Sequence, residues 1–267
     1  MELTVPVRAI GRPVMSFNAG ALTSSETTLR FNRLPGADEG QVELKVSPSL
    51  AATMMESLDD LVDFPYGCVE QTMNRFMPAV VAGRAIQSLG LNRPAILARV
   101  PEVAQRSIRR LRTMQHQDGG FGWWENDSSD PEMSALVLEG LWRSRTAGFA
   151  TDATMEERLV KYCRAWLTTQ ETLPSWADET ENKDFWLDWS LDRRAAVIHA
   201  LARIESRSVV RDEVLSTRLR TDAPLDHVAL FALAAQAMSQ RNPNDSAMRR
   251  RKEELLQRLR PSATQTG

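Results

Sequence analysis

The 267-residue chain is 42% hydrophobic and carries 33 basic against 35 acidic side chains, a formal net charge of −2. That length suits one large domain, or one domain with an appendage, around a sizeable core, and the balanced charge excludes a global pull toward nucleic acid or anionic membrane. No apolar run approaches the roughly 20 residues of a membrane span, residues 1–6 lack the basic and apolar blocks of a leader peptide, and two cysteines, Cys68 and Cys163, cannot build a disulfide framework or a zinc knuckle. Lysine occurs only at Lys45, Lys161, Lys183 and Lys252, leaving 29 arginines, a bias that GC-rich coding accounts for.

The first 47 residues read as a β segment. Residues 28–31 and 41–46 alternate polar and apolar side chains as half-buried strands do, with turn chemistry at Leu34-Pro35-Gly36 between them. So few strands cannot close a core alone, so the segment is expected to pair with something outside this chain or lean on the rest of it. From residue 48 to 267 the pattern is helical. Residues 50–64 are rich in Ala, Met and Leu behind the N-cap candidate Ser49, and apolar residues recur at helical spacing from Met73 onward and over 133–141, 156–168, 193–204, 226–238 and 246–259. Short links between successive helices predict stacked antiparallel hairpins. The most patterned link, Gln115-His116-Gln117-Asp118-Gly119-Gly120-Phe121-Gly122-Trp123-Trp124, is similar to turns of several α/α-toroids, which speaks to fold alone.

Four groups of residues could carry chemistry. Asp59-Asp60-Leu61-Val62-Asp63 matches the pattern with which isoprenyl diphosphate enzymes hold magnesium, but Pro65 ends its helix at once, and the segment 126–130 lacks the hydroxyl and glutamate of the second motif at the required spacing. The histidines His116, His199 and His227 are dispersed, and His199 lies in an apolar helix where packing is its expected role. The basic runs at 106–112 and 249–252 lack the interleaved aromatics of a nucleic-acid surface.

The fourth group is Phe64-Pro65-Tyr66-Gly67-Cys68-Val69-Glu70-Gln71-Thr72-Met73. Pro65 and Gly67 break the preceding helix, so Cys68 falls near a helix N-terminus, where peptide N–H groups favour a thiolate. Gln71 lies three residues on, one turn along the same face. The two side chains could condense with loss of ammonia to an internal thioester. A magnesium-dependent diphosphate enzyme using Asp59, Asp60 and Asp63, or an inert α/α-toroid binding module with a free, buried Cys68, remain the alternatives at this stage.

The run 65–71 resembles the thioester motif of the α-2-macroglobulin and complement superfamily, with the aliphatic Val69 that bacterial members often carry after the cysteine. The flanking helical segments and the Asp-Gly-Gly-Phe-Gly turn also resemble that family's thioester domain. The resemblance implies an α/α-toroid, here incomplete, inserted into a β domain whose remaining strands lie beyond this chain. It implies a single-turnover covalent trap of a broad-spectrum endopeptidase inhibitor rather than an enzyme, acting in the periplasm or outside the cell, with no cofactor or metal. Cys68 and Gln71 would form the thioester. Phe64, Tyr66, Met73 and Phe76 would shield it, and Pro65, Gly67, Val69 and Glu70 complete the motif. The implied partners are lysine amines of target proteases and the other macroglobulin domains of a parent chain. Relatives that also accept hydroxyl groups use a downstream histidine, expected by distance in a loop at 178–186, which holds none; amine selectivity follows.

Overall fold

A computed structural model of the chain describes residues 67–90, 94–169, 183–205, 208–217 and 223–263, with Gly20, Glu26, Thr28, Arg30, residues 41–44, Val46, Asn92 and Leu219. The chain divides into two units, Met1–Val46 and Ser47–Gly267. In the first, residues 41–44 and Val46, expected as a strand, have no regular secondary structure, nor have Thr28 and Arg30, and all are exposed. Val42, Leu44 and Val46 are each more than 60% exposed. A strand is defined by its ladder, and none of these described residues is assigned to one. The helix expected at 50–64 lies outside the described residues.

The second unit is helical. Its described helices are α1 (Val69–Ser88), α2 (Pro94–Met114), α3 (Pro131–Thr146), α4 (Ala153–Thr168), α5 (Lys183–Ala202), α6 (Ser208–Ser216), α7 (Leu225–Arg241) and α8 (Ser246–Ala263). Odd-numbered helices pack in succession, α1 on α3, α3 on α5 and α5 on α7, and each is backed by the even-numbered helix that follows it. This is the two-layer arrangement of an α/α-toroid. Burial follows the layers. On the outer α4 the buried Met155, Leu159, Cys163 and Leu167 form one stripe at four-residue spacing, with Glu156 beside it. On the inner α3 and α7, adjacent pairs such as Val137–Leu138 and Ala234–Ala235 are buried together, because both faces are covered.

Sequence periodicity anticipates most of these helices within a few residues at each end, but α2, α6 and the first ten residues of α5 extend beyond it. In α2 the buried Val100, Ala104, Ile108 and Leu111 keep the helical period straight through Pro101. Residues 183–186, expected in a loop, belong to α5; residues 178–182 lie outside the described residues.

Local chemistry sets the helix ends. Asp130 caps α3 by accepting from the Glu132 and Met133 N–H groups at 2.8 and 3.0 Å, with Pro131 at the first helical position. Asp152 caps α4 through the Met155 N–H at 3.0 Å. The abundant arginines close the other ends: Arg241 donates to the Ala202 carbonyl, Arg251 to those of Val214 and Thr217, and Arg194 to that of Leu167 while also gripping Glu213. A guanidinium reaches two acceptors at once where an ammonium could not hold both geometries, so the arginine bias has a structural use in this fold.

A buried polar group joins α3 to α5. Arg203 donates its Nε–H to His199 Nε2 at 3.1 Å and stacks over Trp142, while His199 Nδ1 faces Glu139 at 3.6 Å. Burial, which outweighs the opposing pull of Glu139, lowers the His199 pKa to about 4. The unfolded chain therefore takes up this proton near pH 6.5 and the folded one only near 4, so stability is full above the first value and falls as pH drops toward the second. The loss attributable to His199 approaches about 3 kcal/mol. Denaturant titrations between pH 7 and 4 should show it, and His199→Gln should flatten that limb; an unchanged limb would contradict the assignment.

Candidate functional site

The head of α1 gathers the residues that the motif singles out. Cys68 stands at the N-cap with an extended backbone and is 5% exposed. Gln71 is the third helical residue, and its Oε1 accepts from the Cys68 N–H at 3.3 Å. The pair forms a capping box with cysteine in the place normally held by Ser or Thr and glutamine in the place of Glu or Gln. This geometry turns the Gln71 carboxamide back onto the Cys68 backbone, so helix capping itself brings the two residues together.

Several neighbours hold this head in place. Thr72 donates both its N–H and its hydroxyl to the Cys68 carbonyl, at 3.0 and 2.9 Å. The Val69 N–H, which has no partner within the helix, donates to the Trp123 carbonyl at 2.9 Å. Gly67 has no room for a side chain: a Cβ there would stand 2.6 Å from Gln71 Oε1 and 2.7 Å from Gln71 Cβ. Gly140 of α3 likewise lets α1 approach, since a Cβ would stand 2.3 Å from Met73 Cε.

The expected site residues separate into groups. Cys68 and Gln71 come together at the helix head, the first buried and the second exposed. Val69, Met73 and Phe76 are fully buried and pack into the core beneath it. Glu70 accepts from Asn74 at 3.2 Å, one turn along the exposed side. Phe64, Pro65 and Tyr66 lie outside the described residues, as do Asp59, Asp60 and Asp63.

The segment 126–130, weighed as a second metal motif, is committed to structure. Asp127 accepts from the Trp123 and Trp124 N–H groups, Ser129 donates to Asp118, and Asp130 caps α3. Elsewhere Asp192, Asp226 and His227 have ligand-type atoms within 4.8 Å of one another. His227 Nε2 is engaged with Asp192, and its Nδ1 is buried without a partner. Two of the three groups, His227 and Asp192, are thus engaged with each other. Cys163 lies in the core of α4, not disulfide-linked, with its thiol pushed up to about 12 by burial, which leaves it inert.

The 115–130 loop is the partner that the sequence does not place at this site. Its Phe121 is fully buried, a bridge pairs Phe121 with Asp130, and Trp123 and Trp124 remain about half exposed. Gly119, at φ +93° against the Arg158 carbonyl, makes its tight turn. His116 contacts Ser129 through Nδ1 at 2.9 Å and the Trp124 carbonyl through Nε2 at 3.0 Å. The loop's turn chemistry was evident from the sequence; its arrival at Val69, 54 residues away, was not.

The family model of the A-macroglobulin TED domain matches residues 41–184, just over half of the chain. The chain belongs to the A-macroglobulin TED domain family. This TED domain is 40% identical over 116 residues to the α-2-macroglobulin of Thermotoga maritima, covering 43% of this chain and 7% of that protein. It is 33% identical over 137 residues to the α-2-macroglobulin of Escherichia coli K12, covering 49% and 8%. A thioester-containing protein 1 of Anopheles gambiae (allele S3) is 25% identical over 146 residues, covering 54% and 11%. The chain thus spans about a tenth or less of the length of these relatives. In fold it is similar to Salmonella α-2-macroglobulin reacted with methylamine, with a TM-score of 0.57 and 24% identity over 79% of this chain and 13% of that one. A structure of native E. coli α-2-macroglobulin from domain MG7 to the C-terminus gives a TM-score of 0.55 and 21% identity over 76% and 31%. These structures share the toroid of the TED domain, as the layered helices do.

Gly67→Ala should force the Gln71 side chain off the Cys68 N–H and lower stability by about 1–3 kcal/mol. Gly20→Ala, with nothing within 4 Å of the added Cβ, should leave it unchanged. Thermal melting of both variants checks this, and equal melting temperatures would contradict the close approach at Gly67.

Proposed function

We propose that Cys68 and Gln71 form an internal thioester, and that the chain is the covalent-capture module of an α-2-macroglobulin-type endopeptidase inhibitor. The observation that carries the proposal is the capping box at the head of α1, with the Cys68 N–H on Gln71 Oε1 at 3.3 Å. In the closing step Cys68 Sγ attacks the Gln71 carboxamide carbon, a C–S bond forms, and the nitrogen leaves as ammonia. In the capture step an amine, typically a lysine of an attacking protease, attacks the same carbon. A C–N bond forms, the C–S bond breaks, and the proton lost by the amine goes to the departing sulfur. A thiol, with an ordinary pKa of about 8.5, leaves far more readily than an amine does. The event is a single turnover, not a catalytic cycle.

Holding the target lysine beside the carbonyl replaces a bimolecular encounter with an intramolecular one, for which effective molarities reach about 10⁵ M or more. Water must be kept out until then. Val69, Met73 and Phe76 form an apolar floor to the site, and Phe64 and Tyr66 are proposed as its cover. The other macroglobulin domains of a longer parent protein would supply the encounter with the protease, in the periplasm or outside the cell. The Salmonella protein whose structure was determined after reaction with methylamine has the same fold, which supports small amines as probes.

Amine selectivity belongs to the same proposal. His116 has both ring nitrogens occupied by loop oxygens, and His199 is locked between Arg203 and Glu139; neither is free to carry an acyl group. The intact chain should weigh one ammonia less than its sequence mass, show no titratable thiol at Cys68, and take up methylamine but not glycerol. Cys68→Ser should lose both the mass deficit and the uptake. A full-mass wild-type chain with a freely alkylated Cys68 would overturn the thioester, and equal uptake of glycerol would overturn the selectivity.

A further inference from the structure

The loop that meets the head of α1 is held by a histidine to which the capture chemistry assigns no part. His116 follows directly on α2, with its side chain only 11% exposed. Ser129 donates its hydroxyl proton to Asp118 at 2.8 Å, so it receives a proton from His116 Nδ1 at 2.9 Å. Nε2 faces the Trp124 carbonyl at 3.0 Å and an Asp127 carboxylate oxygen at 3.4 Å, both of which only accept. The Trp124 carbonyl and Asp127 carboxylate can only accept, so the Nε2 contacts are made by an Nε2–H. Asp127 meanwhile accepts from the Trp123 and Trp124 N–H groups at 2.7 and 3.1 Å. From α4, Arg158 donates to the His116 carbonyl at 2.7 Å, and Gly119 and Gly120 complete the turn through His116 O and N. The peptide between Trp123 and Trp124 is thus gripped on both sides, by Asp127 at its N–H and by His116 at the next carbonyl. The grip presents the Trp123 carbonyl to Val69.

We propose that His116 is a positioning residue for the Cys68–Gln71 pair: its Nε2–H holds the Trp124 carbonyl, and thereby fixes the Trp123 carbonyl on the Val69 N–H that anchors the head of α1. The proposal rests on the thioester reading for its consequence in chemistry, but the anchoring is measurable without it. Val69 immediately follows Cys68, so slack at this bond rotates the N-cap sulfur relative to Gln71, and a shift of about an ångström is enough to spoil attack geometry. Aromatic bulk elsewhere in the loop cannot substitute, because the contact with α1 is made by a backbone carbonyl whose direction the hydrogen bonds set.

Amide hydrogen exchange at Val69 and the extent of methylamine uptake, both measured on the full chain, test this with three variants. A glutamine side chain can reproduce the Nε2–H donor and an asparagine the Nδ1–H donor. His116→Ala and His116→Asn should each speed Val69 exchange about tenfold, the loss expected of one hydrogen bond, and should cut methylamine uptake in parallel. His116→Gln should stay close to wild type in both. A reactive wild type with an alanine variant unchanged in either measurement would overturn the positioning role, and so would glutamine and asparagine variants impaired alike, which is what mere space filling predicts. A wild-type chain that takes up no methylamine would instead overturn the thioester reading, and with it any part for His116 in that chemistry.

Discussion

Everything proposed for this chain depends on the way an α-helix begins. The first peptide N–H groups of α1 have no partners within the helix, and the N-cap and third residues are the ones whose side chains turn back to meet them. With cysteine at the N-cap and glutamine three residues on, this common device folds the Gln71 carboxamide back onto the cysteine backbone, where its Oε1 accepts from the Cys68 N–H. The same interaction explains the glycine before the cysteine. Gln71 folds back over Gly67 so closely that any side chain there would collide with it.

The rest of the unit serves to hold that helix head still. Val69, Met73 and Phe76 root α1 in the core, Gly140 lets α3 lie close beneath it, and the Trp123 carbonyl takes up the Val69 N–H from outside. A two-layer helical ring suits this task, because its inner helices are covered on both faces while its loops gather at the helix ends. The arginines that close α4, α5 and α6 through backbone carbonyls tie neighbouring hairpins together at those same levels. A groove of about 320 Å³ lined by Val80, Arg84, Ser88 and Arg143 lies toward the opposite end of α1, away from Cys68 and Gln71 at the helix head.

What the sequence makes legible follows from the range of the interactions. The Cys68-to-Gln71 spacing and the helical periods at 156–168 and 226–238 are local, and local rules suffice for them. Burial is confined to one stripe on α4 but spreads to both faces of α3 and α7, a difference that shows only once the packing is known. The α2 period is as clear as those at 156–168 and 226–238, and Pro101 obscures it only if a proline is read as a stop. The alternation at 41–46 illustrates the opposite limit: period two marks a strand only where another strand supplies the ladder. The arrival of the Trp123 carbonyl at Val69 was beyond local reading altogether, because turn chemistry fixes the shape of the 115–130 loop without saying which helix it will cap. So was the grip of His116, which depends on oxygens at Ser129 and Trp124 that no spacing rule connects to it.

The most direct measurement is tandem mass spectrometry of peptides from methylamine-treated chain, prepared without prior exposure to amines. The account predicts methylamide at residue 71 in place of the carboxamide, with a newly alkylatable thiol at Cys68 appearing in equal amount. Unmodified Gln71 in every peptide, with Cys68 alkylatable before any amine was added, would contradict it.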